Sequence, residues 1–198
     1  AVVRPDSRAG SLGEVRDGTL QHPANRYERT GGETARDLLN HLGLNSVRTE
    51  TTERGDHYDP IEKVVRLSPQ NFDGRSLTAV TIAAHEVGHA LQDARGFRPL
   101  HLRTQLVRWV GPIEKIGAGM LMVAPFTVAL TRAPAVGLLT LLGGFLTLAS
   151  GAAVHFLTLP TEFDASCGRG LPLLAERGML RSGDETRARK LLTAAALT

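Results

Sequence analysis

The sequence predicts a mainly α chain with a small β hairpin or sheet, an α+β arrangement into which a pair of long apolar helices is inserted. Three observations carry that prediction. The run Leu77–Gln92 has helical character and holds His85-Glu86-Val87-Gly88-His89. Two short β-leaning runs, Ser46–Glu50 and Lys63–Leu67, lie before it. From Ile116 to Leu159 the only formally charged residue is Arg132.

The chain has 198 residues, enough for one domain with its own core or a small domain plus a membrane element. Net charge is +3, and no run of Lys and Arg is interleaved with aromatics, so nothing argues for a nucleic-acid partner. Cys167 is the single cysteine, which excludes an intrachain disulfide and suits a reducing compartment.

Residues 1–32 mix Arg, Asp, Gly, Pro and Ser with little periodicity and read as a flexible arm. A soluble part, residues 33–109, follows. Its first helix is marked by the stripe Ala35, Leu38, Leu39 and Leu42, with Thr30 able to cap it and Gly43 closing it. Between the two β-leaning runs, Arg54–Pro60 is rich in turn residues, so the runs suggest a small hairpin or a sheet edge. Such an edge can accept an extended peptide by strand addition.

The motif helix comes next. Histidines four residues apart project from one helix face, and a zinc ion between them would leave Glu86 placed to take a proton from bound water. Gly88 lies inside this helix, where glycine costs about 1 kcal/mol relative to alanine. Something must therefore approach that backbone closely. Gly96 marks the helix end. Zinc in a catalytic site also needs a third protein ligand and an open position.

Phe97–Arg103 reads as a linker, followed by a helical segment through Trp109. Residues 110–159 then form a transmembrane helical hairpin: a first apolar run Ile116–Leu130, a break at Thr131–Pro134, and a second run Ala135–Leu159, longer than the ~20 residues a spanning helix needs. The alternative is a hairpin buried in a soluble core, but a chain this small has little to cover two such runs. Arg103, Arg108 and Lys115 precede the hairpin, and Arg169, Arg177 and Arg181 follow it, which assigns both soluble portions to the cytoplasmic side.

Residues 160–198 form a second soluble, helical part, and Glu162 within it is the candidate third ligand. Two crossings return Glu162 to the side that holds His85 and His89. Asp164, two residues on, is the competing carboxylate. Ser182–Glu185 has a capping-box pattern before the stripe Ala188, Leu191, Leu192 and Ala195.

Several of these strings together, Asp56–Pro60, Ala83–Gln92, Gly96–Arg103 and Leu157–Ser166, resemble the YugP-type zinc-dependent membrane proteases from about Gly32 onward. The resemblance implies a zincin-like metallopeptidase core of the gluzincin kind in the bacterial cytoplasmic membrane. It also implies one zinc ion held by His85, His89 and Glu162, with Glu86 as catalytic base and a protein or peptide as substrate. It implies further membrane sequence on either side of the residues given. In related protease families an acid four residues after the ligand glutamate buttresses a zinc-bound histidine. Here that position is Ser166, so Asp164 and Ser166 both stand as candidates for the supporting role. His57 and Tyr58 are candidate oxyanion donors by residue type alone.

The rival to a peptidase is a membrane-anchored scaffold or adaptor with a structural metal site. The intact Glu86 argues against it, because a structural site needs no base. A motif lying within the bilayer is disfavoured by Asp73, Arg75, Asp93 and Arg95, which flank the motif helix. Oligomeric state is not legible in the sequence.

Overall fold

A computed structural model describes residues 26–197. These fall into two compact units. One runs to Gly96 and resumes at Glu162, and the other is Phe97–Thr161.

The first unit begins with Tyr27 buried, its hydroxyl donating to Asp184 Oδ2 at 2.7 Å while Arg26 pairs with Asp184 Oδ1 at 2.8 Å. The last residues of the expected arm are therefore packed, and its first 25 lie outside the described residues. Helix α1, Gly31–His41, starts in a capping box: Thr30 Oγ1 accepts from the Glu33 amide and Glu33 Oε2 from the Thr30 amide. Ala35, Leu38 and Leu39 are buried, and Gly43 has φ +71°, the left-handed residue that ends the helix.

The sheet has three strands, β1 (Arg48–Thr51), β2 (His57–Asp59) and β3 (Val64–Leu67), in the order β1-β3-β2. The two runs, expected as a small hairpin or a sheet edge, lie in one small sheet with β1 at its edge, but they pair in parallel and not as a hairpin, with Thr49 opposite Val65. The antiparallel partner of β3 is β2, drawn from the turn-rich segment, with Tyr58 opposite Val65. Central position explains the outcome. Val64, Val65 and Leu67 are wholly buried, as a strand paired on both sides requires. Arg66 serves both flanks, meeting Glu50 on β1 at 3.4 Å and Asp59 on β2 at 3.2 Å, with Glu62 as a further partner.

After the short helix α2, Pro69–Phe72, comes α3, Leu77–Ala94, with Ser76 Oγ accepting from the Ala79 amide. Between Leu77 and Gln92 only Ile82 escapes full burial. The helix is thus enclosed on all sides. It packs on α1, on the sheet and on the returning chain.

That return begins at Glu162. A π-helical segment, Asp164–Gly170, leads into α6, Leu171–Glu176, and α7, Glu185–Ala196, completes the unit. The expected capping box at Ser182 does not form: the N-cap is Asp184, and its side chain makes no cap bond. Its carboxylate is committed to Arg26 and Tyr27 instead, tying the start of the described chain to its last helix. Leu38, Leu39, Val65, Leu67, Val80, Val87, Leu174 and Leu192 share one core.

The second unit is a helical pair. Helix α4 spans Arg98–Thr131, Arg132 turns in the left-handed conformation (φ 51°), and α5 covers Pro134–Phe163. The linker expected at Phe97–Arg103 is already helix, because Pro99 stands in the first turn, where its missing N–H costs nothing. Pro160 lies inside α5 without ending it. Among the described residues two stretches are long and apolar enough to cross a membrane, Trp109–Thr131 with mean hydropathy 1.5 and the helix beginning at Pro134 with 1.7. The pair packs closely through glycine: a Cβ on Gly117 would lie 1.5 Å from Thr147 Oγ1, and one on Gly137 2.0 Å from Val128 Cγ2. Its outward face is apolar, with Met122 and Leu146 each 77% exposed and Leu130 87%.

Candidate metal centre

One turn of α3 carries both histidines, and burial leaves them little freedom: His85 is 6%, Glu86 5% and His89 4% exposed. The two rings meet edge to face, their centroids 4.7 Å apart. Against them comes Glu162, whose Oε2 lies 3.5 Å from His85 Nε2 and 3.2 Å from His89 Nε2. Candidate ligand atoms of all three residues fall within 4.8 Å of one another.

The two carboxylate–imidazole separations suit a small cation. Donors at the ~2.0–2.1 Å zinc–ligand distance in tetrahedral array stand about 3.3 Å apart. The donor set, two imidazoles and a carboxylate, is one that zinc accepts. The other ring nitrogens are engaged elsewhere. His85 Nδ1 is 2.7 Å from Ser166 Oγ, and His89 Nδ1 is 3.0 Å from Gln92 Oε1. Hydrogen bonds at Nδ1 orient both rings so that Nε2 faces the carboxylate.

The approach of the two chain segments depends on Gly88. A Cβ there would stand 2.3 Å from the Ala165 carbonyl oxygen, which is the close contact the helix-interior glycine predicts. A few residues on, a Cβ on Gly170 would stand 3.0 Å from the carbonyl oxygen of Ala84. Backbone thus lies on backbone along this seam. The π-helical segment is of the kind that recurs beside functional sites.

Asp164 does not join the three-residue group. Its Oδ2 accepts from Gln92 Nε2 at 2.8 Å and from Arg169 Nε at 2.6 Å. Burial pushes this carboxyl up, but the bonds from Gln92 and Arg169 and the Arg169 charge outweigh it and hold it below the ordinary carboxylate range. Of the two candidates for a supporting role, Ser166 meets His85 directly and Asp164 reaches His89 through Gln92. The sequence reading missed Gln92. Its signal is an amide three residues after His89 on the same helix.

Tyr58 donates to Asp93 Oδ2 at 2.6 Å, and Lys63 meets the same carboxylate, so β2 is fastened to the end of α3. Burial and the Asp93 bond push the Tyr58 phenol well above its usual range, which marks a structural fastening. His57 Nδ1 is 2.8 Å from the Gly55 carbonyl oxygen, within its own turn.

Comparison with known proteins gives the class to which a chain with this His, His, Glu group belongs. Residues 18–198 match the family described as "Putative neutral zinc metallopeptidase", and the chain belongs to that family. Among individual proteins it is similar to the "Putative membrane protease YugP" of Bacillus subtilis (strain 168). The two are 39% identical over 174 residues, which is 86% of this chain and 72% of that protein. No solved structure matches it.

Proposed function

We propose that this chain is a membrane-anchored zinc metallopeptidase that hydrolyses peptide bonds, with His85, His89 and Glu162 holding one zinc ion and Glu86 acting as general base. The observation that carries the reading is the convergence of two imidazole Nε2 atoms on the Glu162 carboxylate. Zinc held there supplies a Lewis acid for the scissile carbonyl and brings the pKa of bound water to about 7.

The chain's own residues do the rest. Glu86, next to His85 in the enclosed helix, takes the proton of the attacking water and passes it to the leaving amine. Burial of the group excludes bulk water and strengthens every charge interaction within it. The edge strands β1 and β2 give an extended substrate somewhere to add as a further strand. Membrane anchoring is supported by the two apolar helices and by the printed name of the relative. Two spans in succession would return the chain to the side it left, and the basic residues flanking them support a cytoplasmic site.

The test is Glu86→Gln in the purified chain, read by zinc content and by cleavage of a mixed peptide library. Zinc retained with cleavage abolished is the expected result. Undiminished cleavage would refute the assignment of Glu86, and unchanged zinc content in Glu162→Gln would remove the third ligand.

A further inference from the structure

The two histidines are backed by groups of different character. Ser166 Oγ, at His85 Nδ1, can donate or accept and so suits either tautomer of that ring. His89 faces an amide instead. Gln92 Oε1 lies at its Nδ1, and the Nε2 of the same amide donates to Asp164 Oδ2, which also takes Arg169 Nε. Gln92 is completely buried, so water does not offer its amide an easy alternative.

The direction of an amide has to be argued from its partners, since its two ends have nearly the same shape. A carboxylate paired with a guanidinium only accepts. Asp164 therefore requires N–H from Gln92 and turns the carbonyl oxygen toward His89. That oxygen also only accepts, so His89 must carry a proton on Nδ1, which turns Nε2 toward Glu162 Oε2, 3.2 Å away, on the side where a cation would be held. With the amide reversed, two oxygens would meet at Asp164 and an N–H would face Nδ1. The imidazole proton would then move to Nε2, pointing at the space a cation would occupy.

We infer that Asp164, acting through Gln92, is a positioning residue that fixes His89 in its metal-binding tautomer, with Arg169 holding the Asp164 carboxylate in place. The inference rests on the metal-site reading above. What it requires at position 164 is an oxygen acceptor. An Asn can place its own oxygen against Arg169 and still receive the Gln92 N–H. An Ala cannot, and the Arg169 guanidinium would then draw the Gln92 oxygen toward itself and reverse the amide.

The test uses the full chain in detergent with 15N-labelled histidine, the His89 signals being assigned by their loss in His89→Gln, together with zinc affinity from chelator competition. Metal-free wild type should show His89 carrying a proton on Nδ1. Asp164→Ala should shift it toward Nε2–H and weaken zinc binding about 10-fold or more. Asp164→Asn should stay close to wild type in both. If circular dichroism shows Asp164→Ala unfolded, Gln92→Met takes its place with the same expected loss. A folded Asp164→Ala or Gln92→Met chain with wild-type ring signals and zinc affinity overturns the inference, as does Asp164→Asn binding as weakly as Asp164→Ala. Failure of the wild type itself to take zinc would overturn the metal reading, and the ring signals would still decide the relay.

Discussion

Gly88→Ala separates the helix from the site it carries. The added Cβ would meet the Ala165 carbonyl oxygen at 2.3 Å, whereas a comfortable C···O contact is about 3.3–3.6 Å, so the segments must part by about 1 Å. Two effects on stability oppose each other. Alanine in a helix interior gains about 1 kcal/mol over glycine, while overpacking a close seam costs about 1–3 kcal/mol. Net destabilisation should therefore be small, up to about 2 kcal/mol. The site is far less tolerant, because Ala165 is three residues from Glu162 and metal–ligand distances hold to about ±0.2 Å. Zinc affinity measured by chelator competition should fall at least 10-fold, a loss on the scale of disturbing a ligand's support. Gly43→Ala is the control. At φ +71° it should cost about 1–2 kcal/mol of stability with zinc affinity unchanged. A folded Gly88→Ala chain that binds zinc as wild type does would refute the argument that this glycine is kept for the seam.

Ser166→Ala removes the partner of His85 Nδ1, so zinc binding should weaken about 10-fold while helix content by circular dichroism is unchanged. Tyr27 is pushed up to about 12 by burial and by its bond to Asp184, against about 10 in an unfolded chain. The group's contribution is complete below pH 10 and is lost as pH rises toward 12, so unfolding midpoints should fall over that window and Tyr27→Phe should flatten the fall. Leu146→Arg, at an outward position of α5, should raise the apparent cost of membrane insertion by about 3–4 kcal/mol, the Arg penalty plus the lost Leu contribution. A glycosylation-reporter assay measures it, and an unchanged inserted fraction would contradict a spanning α5.

Local signals were read well from the sequence wherever local physics decides the outcome. Thr30 caps α1, Gly43 and Gly96 take positive φ at helix ends, and Arg132 breaks the apolar pair. The grouping of His85, His89 and Glu162 was also legible, since helical spacing pairs the histidines and the expected hairpin brings the carboxylate back. Partner choice between distant residues was not. The parallel pairing of β1 with β3 follows from β2 supplying the antiparallel neighbour, and a three-residue strand inside a turn-rich segment carries almost no periodicity. Asp184 looked like part of a cap because its neighbours spell one, yet a tertiary bond to Tyr27 took its carboxylate. Gln92 was passed over because a glutamine on a helix is ordinarily solvated, and only the return of residues 162–169 makes it part of a network.

That return also explains how α3 tolerates its own composition. Thr81, His85, His89 and Gln92 are all buried, and a buried polar group is costly unless it is hydrogen-bonded. Thr81 satisfies itself on the carbonyl of Leu77. The other three take partners from Glu162, Asp164 and Ser166. Were the returning segment to pack without those partner side chains, three buried polar groups on α3 would lose their bonds, each a penalty of about 1–3 kcal/mol, which is a large share of a domain's net stability. Assembly of the candidate metal site should therefore be coupled to folding of the first unit. A cation bound there would add its binding energy to the same equilibrium, so the apparent stability of the unit should rise with free zinc concentration.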